Sequence, residues 1–251
     1  MLNKQSLVST PVFHLQTGEI CSTRVSHSGS IPADGALLVC PSIRDFLHQG
    51  ILYMAKELPT QADVVIVGGG VIGTSLAYHL TKIGITNVVL LERKQLTSGT
   101  TWHAAGLVGQ LRASRNMTEL AKYTSELMKG LEAETGQATG FKQNGSVSVA
   151  LTEARFEEFR RGASMAKNFG LDVQVVSAGE VKERLPHLAT HDVTGGIFLP
   201  GDGQVNPIDV TQAYAAGARA RGAKVFENTK VTRLLKDGNR VTGVETTAGT
   251  I

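Results

Sequence analysis

At 251 residues, with 41% hydrophobic and 19% charged side chains, the chain is long enough for one large domain or two modest ones. Its net charge of +3 comes without any Lys/Arg cluster interleaved with aromatics, which argues against a nucleic-acid surface. No stretch approaches the ~18 apolar residues of a membrane span, and both cysteines, Cys21 and Cys40, precede residue 54. A cysteine-free remainder fits a reducing compartment and leaves no thiol chemistry to the core.

Residues 1–53 differ in character from the rest of the chain. They hold three prolines and scattered Ser and Gly, with no sustained period of either kind. Ala36 to Cys40, the longest apolar run, is too short for a secretory signal, and Arg24 and Arg44 against Glu19, Asp34 and Asp45 do not make a mitochondrial presequence. His14, Cys21, His27, Cys40 and His48 match no compact ligand spacing, so no metal is expected. The segment reads as a disordered or extraneous extension, with Met54 as a natural start.

The organising stretch is Ala62 to Glu92. Val64 to Val67 is a β-branched run expected to form a strand buried on both faces. Gly68, Gly70 and Gly73 then spell G-x-G-x-x-G where strand must turn into helix: one for the turn, one for close approach to a pyrophosphate, one for helix–strand packing. The next helix carries Ile72, Leu76, Leu80 and Ile83 at helical spacing, read as its apolar side, and Gly84 stops it. His79 reads as partly buried packing. Asn87 to Leu91 is a second buried strand, with Glu92 at its end, 19 residues after Gly73. A carboxylate there accepts from a ribose diol and disfavours a 2′-phosphate, so the motif indicates a dinucleotide other than NADP without saying which.

Arg93 to Gln110 is a loop of polar and small residues past the crevice. Asn116 to Glu134 is an amphipathic helix with Met117, Leu120, Leu127, Met128 and Leu131 on one stripe, closed by Gly136. Gly145 to Leu151 alternates as a half-exposed strand. Thr152 caps a helix that buries Phe156, Phe159, Ala163 and Ala166, and Gly170 ends it. A strand at Val173 to Val176 comes next, and then Ser177 and Glu180 as a capping box for a short helix. Gly196 to Leu199 and an Asp202-Gly203 turn lead to Asn206-Pro207, a helix start. That helix delivers Lys224 to Glu227, expected as a third parallel strand beside the first two. Val231 to Leu235 and Val241 to Thr246 flank Asp237-Gly238, a hairpin signal. His187, His191, Arg112 and Arg115 are read as solvated positions.

Thr97 to Gly106, TSGTTWHAAG, lies between LLER and GLVGQLR. With LEAETG at 131–136, FKQNGSVSVA at 141–150 and RGAKVFEN at 221–228, it resembles the sarcosine and dimethylglycine dehydrogenases, within the glycine-oxidase-like FAD-dependent oxidoreductases. The likeness runs from about Leu58 to Ile251. It implies an α/β fold: a Rossmann-type FAD-binding domain of the glutathione-reductase kind, with part of an α+β substrate domain inserted. The expected divisions are the 1–53 extension, an FAD-binding βαβ and flavin loop at 54–110, substrate or cap region at 111–205, and a return to the FAD-binding domain at 206–251.

The resemblance also supplies the cofactor, FAD, and places its contacts at Gly68, Gly70, Gly73, Glu92, Arg93, Ser98, His103 and Gly106. His103, the histidine of W-H-x-A-G, is the residue that carries flavin covalently in those enzymes. A neutral imidazole nitrogen is a nucleophile that can add to the 8α-carbon of oxidised flavin. The implied reaction moves hydride from an N-methyl carbon of a small amino acid to flavin, releasing formaldehyde or passing it to tetrahydrofolate. Electrons then go to an electron-transfer flavoprotein. The resemblance implies the mitochondrial matrix in a eukaryote and the cytoplasm in a bacterium. The chain is expected to be an N-terminal piece, inactive alone, with substrate-side residues downstream. Two other readings stand beside this: a regulator resembling the pyruvate dehydrogenase phosphatase regulatory subunit, and an NAD-dependent dehydrogenase.

Overall fold

The computed structural model describes residues 57–251, so the readings of residues 1–53 and of the Met54 start lie outside the described residues. In chain order these form β1 (Val64–Val67), α1 (Val71–Lys82), β2 (Val88–Leu91), a 3-10 turn (Thr101–His103), β3 (Leu107–Val108) and α2 (Arg115–Thr135). Then come β4 (Ser146–Ala150), α3 (Glu153–Asn168), β5 (Gln174–Ser177), α4 (Ala178–Arg184), β6 (Gly195–Leu199) and β7 (Gly203–Gln204). The last are α5 (Pro207–Ala220), β8 (Lys224–Phe226), β9 (Val231–Asp237), β10 (Arg240–Thr246) and β11 (Gly249–Thr250).

The wholly apolar β2 becomes the middle of a parallel sheet of order β1-β2-β8, as the crossover argument expects. Its alternating side chains serve two cores. Val88 and Leu90 join Ile66, Tyr78, Leu131, Tyr214 and Val225 beneath α1, α5 and α2. Val89 and Leu91 join Phe226, Val244 and Ile251 under the β9-β10-β11 meander on the other face. A separate antiparallel sheet, β4-β6-β5, packs against Phe156, Phe159, Ala163 and Ala166 of α3, the four residues expected to be buried there. The caps expected at Thr152, Ser177 and Asn206 all form, as does the Gly136 terminus with φ +70°.

Three expectations about apolar faces need correction. Helix α1 does not bury Ile72, Leu76 and Ile83; it buries Thr74, Ala77, Tyr78 and Thr81. This face wins because α5 lies close against it, Gly217 leaving room for the Tyr78 ring, which a Cβ there would approach to 2.8 Å. The threonine hydroxyls are accommodated by bonding back to Gly70 O and Ala77 O, at 3.1 and 3.0 Å. β1 is not buried on both faces, since it is an edge strand among the described residues and only Ile66 is fully covered. On α2, Met128 and Leu131 are buried, but Met117 and Leu120 face outward.

Candidate functional site

The β1–α1 turn is shaped by glycine at each motif position. Gly68 takes φ +112°, a conformation L side chains rarely adopt. A Cβ at Gly73 would stand 2.0 Å from Gly68 O, so only glycine lets the helix sit on the turn. Gly70 caps α1 with extended backbone, and the sole heavy atom near its absent Cβ is Thr101 Oγ1 at 3.0 Å. The middle glycine, Gly69, is equally constrained, because a Cβ there would meet Leu96 at 2.6 Å and Glu92 at 2.8 Å. G-x-G-x-x-G treats that position as free, so the motif could not have indicated it.

Glu92, at the end of β2, folds its carboxylate back over this turn. Oε2 accepts from Gly69 N–H at 2.7 Å and Oε1 from Lys94 N–H at 2.9 Å. Two amides leave lone pairs for further donors, so the expected contact with a ribose diol stays chemically open. The loop after β2 is tied down at its start. Thr97 N–H donates to Gly69 O at 3.0 Å and Asn228 N–H to Lys94 O at 2.8 Å, while Leu96 N–H donates to Glu227 Oε1 at 2.6 Å. Thr97 is held at φ +72° by these contacts. Glu227 carried no sequence signal, since it acts through one bond across a long separation.

A groove of about 760 Å³ runs along β1 and over the start of α1. Six of the eight expected contacts line it: Gly68, Gly70, Gly73, Glu92, Arg93 and Ser98. The outward-facing Ile72 and Leu76 do too, which gives α1's apolar stripe a place that is not the core. The Ser98 hydroxyl donates to Gln95 O at 2.6 Å, shaping the loop. His103 is not in the lining; it is exposed at the end of the 3-10 turn, next to Ala104, which is. Its imidazole packs on the exposed Trp102, ring centroids 3.7 Å apart. Gly106 lies outside the groove as well. Its φ of +74° and its approach to Val205 O, 2.1 Å from where a Cβ would stand, fix the β3–β7 ribbon.

The floor of this groove suits an anionic diphosphate. Thr74 N–H closes the first helical turn onto Gly70 O, leaving the N–H groups of Ile72 and Gly73 as first-turn donors that the helix itself does not engage. No acidic residue sits in that turn to oppose a negative charge, and the helix dipole favours one.

Residues 63–251 match the family model described as FAD dependent oxidoreductase. The chain belongs to this family. It is 42% identical over 203 residues to human mitochondrial sarcosine dehydrogenase, covering 78% of this chain and 22% of that protein. Mouse mitochondrial dimethylglycine dehydrogenase is 37% identical over 195 residues, again 78% of this chain and 22% of the relative. The mouse pyruvate dehydrogenase phosphatase regulatory subunit is 40% identical over 194 residues, 77% and 22%. L-proline dehydrogenase from P. horikoshii superposes with a TM-score of 0.73 at 30% identity, over 77% of this chain and 51% of that one. The chain spans about a fifth of the length of these curated relatives.

Away from the groove, the structure supports the bland readings of the remaining polar residues. His79 is half-buried, Nδ1 donating to Ser75 O at 2.7 Å and Nε2 lying 2.9 Å from the Tyr123 hydroxyl, which donates to it. His187, His191, Arg112 and Arg115 are exposed. Asp202 is more than a turn residue. It is 5% exposed and accepts from Gln110 N–H at 2.8 Å and the Ser146 hydroxyl at 2.6 Å, joining β4 to the segment after β3.

Proposed function

We propose that the protein containing this chain is an FAD-dependent dehydrogenase of small N-methylated amino acids, with sarcosine or dimethylglycine as substrate. The observation that carries this reading is His103 in its W-H-x-A-G setting, exposed at the rim of the dinucleotide groove. Identity to proteins named for both substrates supports it. Bound FAD supplies a two-electron acceptor for hydride from the N-methyl carbon. This chain's residues bind and orient the cofactor. The first turn of α1 receives the diphosphate, Glu92 the ribose, and Ile72, Leu76 and β1 give the groove an apolar wall that sheds water. His103 makes no side-chain hydrogen bond among the described residues, so an imidazole lone pair is free for covalent attachment of the flavin.

Electrons leave to an electron-transfer flavoprotein in this reading. The compartment is the mitochondrial matrix in a eukaryotic cell, supported by the mitochondrial relatives, and the cytoplasm in a bacterial one. No described helix is long and apolar enough to cross a membrane. Acid precipitation of the purified full-length protein tests attachment. The pellet should stay yellow, and His103→Ala should release the colour; acid-stable flavin in the variant would place the bond elsewhere. The 40% identity to the phosphatase regulatory subunit favours a second reading, a non-catalytic regulator. A protein purified colourless would select it.

A further inference from the structure

Gly70 is the N-cap of α1 and has no side chain with which to cap it. The acceptor comes instead from thirty residues downstream, where Thr101 Oγ1 takes the Val71 N–H at 3.0 Å. Thr101 is only 8% exposed, lines the groove, and would touch any side chain placed at Gly70. Its backbone has a second task. It opens the 3-10 turn that carries Trp102 and His103, and Ala104 N–H closes that turn onto Thr101 O at 3.1 Å. The packed Trp102–His103 pair is therefore built on the same residue whose hydroxyl caps the helix.

We propose that Thr101 is a positioning residue that couples diphosphate binding at the start of α1 to the placement of Trp102 and His103. The proposal rests on the reading of the groove as the FAD site. A hydroxyl that accepts one N–H still owns a proton, and no described carbonyl or carboxylate takes the proton of Thr101. An anion settling on the N–H groups of Ile72 and Gly73 thus meets an O–H donor held in register with the helix. Drawing that hydroxyl toward the anion moves the start of the 3-10 turn, and Trp102 with it. Without the hydroxyl, the helix terminus and the turn lose the side-chain hydrogen bond that links them and respond separately.

The 251-residue chain is titrated with ADP, calorimetry giving the affinity. Trp102 is its one tryptophan, so emission reports the turn alone. In the wild type, ADP should change the emission. Thr101→Val keeps the shape but removes acceptor and donor. It should weaken ADP about tenfold, the loss of one hydrogen-bonding group, and abolish the emission change even at saturation. Thr101→Ser should restore both, which a merely space-filling role would not require. Thr101→Ala carries the same expectation as valine if the valine variant does not fold. A Thr101→Val chain with wild-type affinity, or with an emission change at saturation, overturns the proposal. So does a wild-type chain that binds ADP silently, though the groove's assignment would then stand. A wild-type chain that binds no ADP overturns the assignment and the proposal together.

Discussion

The carboxylate of Glu92 holds the backbone N–H of Gly69 at 2.7 Å, across 23 residues of chain. The acid proposed to receive a ribose is thus also the group that fixes the glycine turn proposed to hold the diphosphate. Glu92→Ala should then do more than remove a ribose contact. It leaves the buried Gly69 N–H without its acceptor, a loss of about 1–3 kcal/mol. The melting temperature of the apoprotein should fall, measured by circular dichroism, while Glu92→Gln, whose amide oxygen can still accept, should recover most of it.

Glycine substitutions should divide sharply. Gly73→Ala would force a Cβ to within 2.0 Å of the Gly68 carbonyl oxygen, a backbone atom that cannot step aside. Gly99, in the same groove wall, has nothing within 4 Å of its absent Cβ. FAD binding followed by flavin fluorescence should be lost in Gly73→Ala and stay near wild type in Gly99→Ala.

Stability should fall at both ends of the pH scale, from residues behind the sheet. Burial would raise the Glu134 carboxyl, but the Tyr78 hydroxyl, 2.8 Å from each oxygen, and the Arg221 guanidinium outweigh it and hold the carboxyl below its ordinary 4.5. A depressed folded value gives stability that is present above 4.5 and lost as pH drops through the folded value. At the other end, burial pushes the Tyr214 hydroxyl up to about 12, against an opposing Ser75 hydrogen bond, and raises Tyr78 as well. Raised folded values give stability that is full below pH 10 and fades as pH climbs toward 12. Thermal melts across pH should show both limbs. Glu134→Gln should flatten the acid one and Tyr214→Phe the alkaline one.

Asp202 should matter to the fold more than its place in a turn suggests. Asp202→Ala would strand the Gln110 N–H and the Ser146 hydroxyl and should cost about 2–4 kcal/mol in a urea titration. Asp192, exposed in its loop, should tolerate alanine within about 0.5 kcal/mol.

Much of this arrangement could be read from the sequence, because local chemistry dictated it. The glycines at 68 and 73, the caps at Thr152, Ser177 and Asn206, and the Asp237-Gly238 hairpin are each set by residues a few positions apart. The buried face of α3 was legible for the same reason, as its stripe meets an ordinary core. On α1 the apolar stripe misled: Ile72 and Leu76 line the groove, while close packing on α5 demands threonine, alanine and tyrosine. Long-range single bonds were invisible altogether. Nothing near Thr101 or Glu227 in the sequence marks the Val71 and Leu96 amides they receive, and the buried role of Asp202 depends on partners 56 and 92 residues away.

The claim that this is an amine-oxidising flavoprotein is tested most directly by an anaerobic titration. Purified full-length protein is mixed with sarcosine and, separately, with dimethylglycine, and the visible flavin absorption is followed. One of them should bleach the flavin, and the colour should return when an electron acceptor is added. A yellow protein that neither amine bleaches, or a protein that holds no flavin, would contradict it.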